Sequence, residues 1–220
     1  MILSHTPDET AEYTMGQINA FFPDGRPIDR KAFYTAVRTA LDRIENCFSH
    51  ISHPSYYAQQ QARFDIFHSD QYCTYLYFLS SSIFQSGGDL ILAKKIFALN
   101  KALHAFNCMY DTLLPDVFWL IHIVGTVLGK ANYSNFLVVR QNCTVGAMAG
   151  AYPTIGKGFV MSAGSSVIGN CKIGANVMLG PGCTIVNRAV EDNTLIILND
   201  SHTSRVNSQR ALKAHFHNIR

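Results

Sequence analysis

Residues 155–190 read IGKGFVMSAGSSVIGNCKIGANVMLGPGCTIVNRAV, and this stretch decides the fold. Every sixth residue in it is a large aliphatic or Met: Ile155, Met161, Val167, Ile173, Leu179 and Ile185. A period of six fits neither the 3.6-residue turn of an α-helix nor the two-residue alternation of an exposed strand. It is typical of a triangular coil in which each flat face uses one hexapeptide and directs its aliphatic side chain inward.

A second periodic set supports this interpretation. Four positions after each aliphatic residue lies a mostly small or modest residue: Phe159, Ser165, Cys171, Val177, Cys183 and Ala189. Tyr133, Val139 and Val145 extend the first set upstream with the same spacing. We therefore predict a left-handed parallel β-helix over residues 107–195. Ten residues separate Val145 from Ile155 where twelve would keep register, so residues 148–153 are expected to leave the coil as a loop.

The preceding part of the chain has a helical character. Residues 30–47, 80–84 and 90–106 carry apolar side chains at spacings of three and four, and a Gly87-Gly88 pair separates the last two segments. The predicted class is α+β: a helical domain over residues 1–106, the β-helix over 107–195, and a partly helical tail over 196–220. Asp65, His68 and Asp70 are interpreted as a mixed polar turn.

Composition limits the function classes. The formal charge is +3 and the basic residues are scattered, which argues against a nucleic-acid partner. Six cysteines occur without a C-x-x-C pair, and no signal segment follows Met1. The longest apolar run, residues 117–128, is too short to span a bilayer. We expect a cytoplasmic protein with no membrane span and no bound metal.

The segment around the first complete coil is more specific. His122 is followed at fixed spacings by Gly125, Val127, Gly129, Gln141 and Thr144-Val145-Gly146. Further matches are Pro153, Gly158, Val160-Met161, Ala163-Gly164, Ile168-Gly169-Asn170 and Ile173-Gly174. In these residues the chain resembles the serine acetyltransferases of the hexapeptide acyltransferase superfamily, over about residues 107–190 and with a helical domain in the same order.

The resemblance implies an acyltransferase with acetyl-CoA as cosubstrate and His122 as the catalytic general base. A base is needed because an alcohol is a poor nucleophile near neutral pH, and an imidazole titrates in that range. The resemblance also implies that the pantetheine arm of the coenzyme lies along a groove between neighbouring prisms. This groove would be lined by Gly146, Ala163, Gly164 and Pro181.

Several positions depart from the family pattern. Ile121 stands where the family has an acidic residue before the histidine, and Ala151-Tyr152 replaces an Arg-His pair. Asn107 stands where the family has the aspartate that orients the histidine. Asp111 or Asp116 is a possible substitute, and we favour Asp111.

The departures and matches also suggest how the acceptor and the coenzyme's far end are held. Tyr152 and Gln141 are the predicted acceptor-binding residues. The G-x-P-A-R segment common near the C-terminus of the superfamily is absent, since residues 196–206 read IILNDSHTSRV. Arg205 or the tail would then have to hold the adenine end of the coenzyme.

Four functional alternatives stay open at the level of sequence. The favoured one is O-acetylation of a hydroxyl, on a sugar-like alcohol of surface polysaccharide synthesis or on L-serine held differently. The others are N-acetylation of an amino sugar, a metal-dependent hydro-lyase on the same fold, and a non-catalytic structural trimer. The metal enzyme would need about three clustered histidines, and His122 is the only histidine in the coils. The thin core and exposed edges of a β-helix favour a homotrimer or a dimer of trimers.

Overall fold

The computed structural model describes residues 1–197, 203–205, 212, 214–217 and 219. Four helices precede the coils: α1 Pro7–Phe21, α2 Arg30–Phe48, α3 Ser69–Gln85 and α4 Leu90–His104. Local sequence fixes where three of them begin. Thr6 and Glu9 form a capping box before α1, whereas the carboxylates of Asp29 and Asp89 accept backbone N–H groups at the starts of α2 and α4.

A small sheet interrupts the helical domain. Strands β1 Ile2–Leu3, β2 Tyr57–Ala58 and β3 Gln61–Phe64 pair in the order β1-β3-β2. The β2–β3 connection is a tight hairpin in which Gln59 and Gln60 take positive φ angles. The domain predicted as helical over residues 1–106 therefore also contains three short strands.

Helix α3 joins the helical domain to the coils. Nearly all of its residues from 70 to 81 are buried, because it packs on α2 and α4 and also on the first strand of the β-helix. The Tyr77 hydroxyl donates to the carbonyl of Thr112 and accepts from the Leu114 N–H, each at 2.8 Å. The Phe78 and Phe118 rings lie 5.3 Å apart.

The remaining strands form the three flat faces of a prism. Face 1 contains β4 Phe118–Leu120, β7 Leu137–Val139, β10 Val160–Met161, β13 Met178–Leu179 and β16 Thr194–Ile196. Face 2 contains β5 Val127–Leu128, β8 Thr144–Gly146, β11 Ser166–Ile168 and β14 Thr184–Val186. Face 3 contains β6 Asn132–Tyr133, β9 Thr154–Ile155, β12 Lys172–Ile173 and β15 Ala189–Val190. Each coil visits faces 1, 2 and 3 in turn, and successive coils pair in parallel.

This architecture confirms the predicted class, a helical domain followed by a left-handed parallel β-helix of about four turns. Eight of the nine predicted inward residues fill the prism and are at most 4% exposed: Val139, Val145, Ile155, Met161, Val167, Ile173, Leu179 and Ile185. Tyr133, the ninth, is only partly buried, and its hydroxyl donates to the Gly129 carbonyl at 2.7 Å. Cys143, Cys171 and Cys183 are buried, unpaired thiols in the same interior. They act there as small core fillers.

Apart from the predicted loop, the 18-residue period changes in the first coil, where Phe118 pairs with Leu137 and Val127 with Thr144, and again near the end of the solenoid. Lys172 pairs with Ala189, one residue earlier than an 18-residue coil would give. Ala189 is consequently exposed, and Val190 enters the core instead. The expectation that Ala189 fills a corner is wrong, because the turn at Asn187 and Arg188 is one residue shorter than the turn before β12.

The predicted loop lies between β8 and β9, over residues 147–153. It contains a short antiparallel bridge between Met148 and Ala151. Val138 pairs with Val160, which in turn pairs with Met178, so the coil that contains this loop has 22 residues and the next one has 18.

Beyond β16, the described residues add a strand and an apolar contact. Strand β17 Thr203–Arg205 pairs antiparallel with β16. Leu212 and Phe216 are buried, and the Phe216 ring lies 5.3 Å from that of Phe136. Residues 198–202, 206–211, 213, 218 and 220 of the tail, which is predicted to be partly helical, lie outside the described residues, and so does the side chain of Arg205. Among the described residues, no helix is both long and apolar enough to cross a bilayer.

Candidate active site

His122 lies at the corner between faces 1 and 2 in the first complete coil. Its side chain is exposed, and its backbone takes a φ of 52°, in the left-handed region. Leu120, Val139, Met161 and Leu179 are in register on face 1. Gln141, Ala163 and Pro181 follow these residues by two positions in the later coils, where the N–H groups of Gly164 and Gly182 donate to the Gln141 and Ala163 carbonyls. In the first coil the equivalent residue is Val124, whose carbonyl accepts the Asn142 N–H, and His122 lies in a turn at the same corner that is two residues longer. The structure thus brings four of the predicted site residues to one edge, here called the 1–2 edge.

Gly125 shapes the corner that carries the histidine. Its φ is +73°, and an added Cβ would lie 2.2 Å from the Asn142 side-chain oxygen. Asn142 itself has a φ of 56° in the next coil, so both turns use residues that tolerate the left-handed conformation. This explains why a glycine follows the histidine at this spacing.

A carboxylate from the helical domain holds the same corner. Asp70, in the first turn of α3, accepts the His122 N–H at 2.9 Å and the Ile123 N–H at 3.3 Å. Asp70 is only 9% exposed. Sequence interpretation placed Asp70 in a polar turn and missed this role. No local signal reports a contact between residues so far apart in the chain.

The opposite edge of face 2, between faces 2 and 3, carries a second polar group. Lys130 Nζ lies 2.9 Å from the Asp111 carboxylate, and this ion pair raises the pKa of Lys130. Tyr152 lies near Lys130 on the neighbouring loop and is 52% exposed. Asp111 is therefore engaged at the 2–3 edge, across the width of face 2 from His122.

The remaining predicted residues divide between these surfaces. Gly146 ends β8 on face 2 and packs near the Ile168 side chain. Gly164 sits beside Ala163 at the 1–2 edge with a φ of +71°. Gln141 is half-buried there, and its Oε1 has no hydrogen-bond partner among the described residues.

Asp116, the alternative orienting acid, lies elsewhere. It lines a surface cavity of about 720 Å³ with His50, Phe136 and Lys157, at the edge between faces 3 and 1. Lys157 lies 5.1 Å from the centre of the Phe136 ring. The structure thus separates both candidate acids from the histidine within one chain.

The described residues offer no ready metal centre. In this part of the chain, no three His, Cys, Asp or Glu side chains are grouped so that they could hold a metal ion. Burial raises the pKa of Cys47 to about 12 and raises the pKa values of Cys73 and Cys108 well above the ordinary range. Thiols of this kind are poor nucleophiles and poor ligands.

Comparison with known proteins gives two related sequences and many related structures. No protein-family model matches the chain. The serine acetyltransferase of Synechococcus elongatus is 30% identical over 88 residues, which cover 38% of this chain and 36% of that protein. The serine acetyltransferase of Buchnera aphidicola is 27% identical over 97 residues, or 41% of this chain and 35% of that protein. The chain therefore matches only about a third of the length of these curated relatives.

The structural similarity extends much further along the chain. The crystal structure of Neisseria gonorrhoeae serine acetyltransferase superposes with a TM-score of 0.68, covering 94% of this chain and 83% of that one at 15% identity. The chain has the serine acetyltransferase fold. The predicted resemblance is confirmed in both the order of the helical domain and the coils and the sequence of the coils.

A second structure with the serine acetyltransferase fold was solved in complex with CoA. It superposes with a TM-score of 0.60 at 12% identity, covering 81% of this chain and 77% of that one. Both superpositions cover more of the chain than the coils alone, so each includes part of the helical domain.

Proposed function

We propose that this chain is an acetyl-CoA-dependent O-acetyltransferase that uses His122 as its general base. One observation carries the proposal: an exposed histidine begins the 1–2 edge, and the small residues Ala163, Gly164 and Pro181 continue the same edge. A candidate general base and a row of small residues, along which an extended acyl carrier can bind, therefore lie on one surface. The serine acetyltransferase names of the relatives and the CoA complex of a structural neighbour support the same reaction class.

The proposed chemistry needs one proton acceptor. The His122 imidazole takes the proton of the acceptor hydroxyl as its oxygen attacks the thioester carbonyl. Collapse of the tetrahedral adduct breaks the C–S bond, and the imidazolium returns the proton to the departing thiolate. The products are an acetyl ester and free CoA. Removal of a well-placed general base slows such reactions by about 10²–10⁴-fold.

The four residues proposed to line the coenzyme groove are accessible and small. Gly164 and Pro181 are exposed, and Gly146 and Ala163 are half-exposed. None of the four carries a side chain beyond a methyl group or a proline ring, so an extended pantetheine arm can approach the backbone closely. We infer that this arm lies along the 1–2 edge and face 2.

The charges near Tyr152 bear on which acceptor the site can hold. A free carboxylate is best held by an unshared cation, preferably bidentate. Near Tyr152 the cation is Lys130, but Asp111 already neutralises it at 2.9 Å. We therefore propose a neutral, sugar-like hydroxyl acceptor, with Tyr152 and Gln141 as its hydrogen-bonding residues. L-serine is the second candidate, favoured by the names of both curated relatives.

The two edges of face 2 also bear on assembly. His122 and Tyr152 lie on opposite edges, so a site that uses both is completed by a second protomer. Leu113 and Val124 are 60% and 59% exposed near these edges, which supports burial against a neighbour. We propose a homotrimer or a dimer of trimers. The six buried, unpaired thiols support a reducing compartment, the cytoplasm.

Thiol release from acetyl-CoA tests the proposal. Purified protein is assayed with L-serine, simple sugars, nucleotide sugars and amino sugars, and the acetylated product is identified by mass spectrometry. An O-acetyl sugar as the main product supports the proposal. O-acetylserine as the main product removes the case for a sugar-like acceptor but keeps the reaction class. An N-acetyl product would replace O-transfer, and no release with any acceptor would favour a structural role.

A further inference from the structure

We propose that Asp70 is a positioning residue for His122, and that its carboxylate holds the backbone of the corner from which the imidazole projects. The inference rests on the proposed function for its kinetic consequence. Its structural basis is independent: two hydrogen bonds from adjacent backbone N–H groups, at 2.9 Å and 3.3 Å, to the two oxygens of one buried carboxylate.

The carboxylate lies at the start of α3, in a turn that is itself held by a hydrogen bond. Asp70 is the second residue of α3, where the helix N-terminus stabilises negative charge. Two neighbouring groups respond to the charge of Asp70. The pKa values of Tyr56 and Cys73 are raised mainly by burial and, after that, by this negative charge. The Thr74 hydroxyl donates to the Asp70 backbone carbonyl at 2.8 Å and fixes this turn of the helix.

The corner needs an external support because its own conformation is unfavourable. His122 has a φ of 52°, a region that L-residues with a Cβ rarely occupy without compensation. Within the turn, the Val124 N–H donates to the His122 carbonyl at 2.8 Å. The N–H groups of His122 and Ile123 instead point out of the coil, towards the helical domain, where Asp70 accepts both.

The consequence is a link between the two domains at the reacting residue. The hydrogen bonds join residues 52 and 53 positions apart in sequence, so the position of α3 determines the position of the His122 backbone. A general base must lie within hydrogen-bond reach of the proton that it removes, and a displacement of about 1 Å can cost up to about 100-fold in rate. Asp70 therefore acts on catalysis through His122, without touching the substrate.

Asp70→Asn tests this inference, with Asp89→Asn as a matched control. The amide keeps the size of Asp70 but presents an NH2 group to one of the two donors. Asp89 likewise uses its carboxylate to accept two backbone N–H groups, at 2.8 Å and 3.3 Å, but at the start of α4. Hydrogen exchange followed by mass spectrometry should show faster exchange of the His122 and Ile123 amides in Asp70→Asn only. Unchanged exchange at this corner would overturn the proposal, whether or not the protein proves to be an acetyltransferase.

The kinetic arm separates positioning from general destabilisation. Asp70→Asn should lower kcat about 10- to 100-fold and leave the KM for acetyl-CoA and the CoA affinity near the parental values. In a His122→Ala background the same substitution should have no further effect on kcat, because the residue through which it acts is gone. An equal loss in both backgrounds would overturn the inference. Parental inactivity with every acceptor would instead refute the proposed function, while the exchange result would still decide the structural claim.

If Asp70→Asn does not fold, Asp70→Glu provides the second variant. It retains the charge but moves both oxygens by one methylene. It should accelerate exchange at the corner and lower kcat less than a loss of charge would. A parental exchange rate and a parental kcat in Asp70→Glu would count against a requirement for this geometry.

Discussion

At the scale of single residues, His104 is a buried titratable group outside the proposed site. It closes α4 at 7% exposure, with its Nδ1 2.7 Å from the Asn100 side-chain oxygen. Because an amide oxygen only accepts, Nδ1 carries the proton and donates. Burial lowers the pKa of His104 despite the hydrogen bond to Asn100 and the charge of Asp70.

This shift predicts a loss of stability in acid. The unfolded chain binds a proton at His104 near the ordinary value of about 6.5, whereas the folded chain binds it only at lower pH. The free energy of unfolding should therefore fall as pH drops below about 6.5, until the folded-state pKa is reached. Urea unfolding at pH 7.5 and pH 5.5 should show a smaller difference for His104→Gln than for the parent. An equal difference would mean that His104 does not contribute.

Tyr152 gives a prediction about the acceptor. Tyr152→Phe removes one hydroxyl from a half-exposed side chain, so folding should be unaffected. The KM for the acceptor should rise several-fold, in line with the loss of one hydrogen bond of about 0.5–1.5 kcal/mol, while CoA affinity is retained. Tyr13→Phe, on α1 in the helical domain, is the control. An unchanged acceptor KM in Tyr152→Phe would exclude this residue from the acceptor site.

The residue scale also shows which parts of the site the sequence could predict. Gln141, Ala163 and Pro181 each follow an inward residue of the repeat by two positions, so the repeat places them on one edge. His122 follows from the family motif instead, since it lies in a longer turn outside the strict period. Asp70 could not be predicted, because its partners lie more than fifty residues away and its surroundings resemble an ordinary polar turn. Spacing does not decide between Asp111 and Asp116, and the sequence cannot show that Lys130 pairs with Asp111.

At the scale of elements, we expect the replacement of glycine by alanine to have opposite effects on stability at two positions. Gly125 has a φ of +73° and lies against Asn142, so Gly125→Ala should destabilise the protein by about 1–2 kcal/mol. Gly16 lies exposed within α1 with open space at its Cβ position. Gly16→Ala should therefore stabilise by up to about 1 kcal/mol. Thermal unfolding of both variants checks the pair, and a stabilised Gly125→Ala would contradict the assigned corner geometry.

The helices and coils differ in how clearly their sequences predict them. The coils were predictable because an inward residue recurs every six positions. Helix α3 was recognised only over residues 80–84, since burial on nearly all sides removes the polar face that gives a helix its period. Helix α1 was not predicted, although Thr6-Pro7 and Glu9 form a capping box before it. The slip at Ala189 could not be predicted, because one residue was lost from a turn with no change in composition.

At the scale of the whole molecule, the two edges of face 2 predict an oligomer. Since His122 and Tyr152 lie at opposite edges of face 2, a site that uses both residues requires a second protomer. Light scattering at micromolar concentration should give three or six times the 24.4 kDa of the chain. A stable monomer that retains activity would show that one protomer suffices and would exclude a shared site.

The central claim is that His122 is the general base of an acetyl transfer. The most direct measurement compares the parent, His122→Ala and the control His5→Ala in thiol release from acetyl-CoA, with CoA binding followed by calorimetry. We expect His122→Ala to lower kcat by about 10²–10⁴-fold and to bind CoA with parental affinity, while His5→Ala matches the parent in both. Parental turnover in His122→Ala would mean that His122 is not the general base.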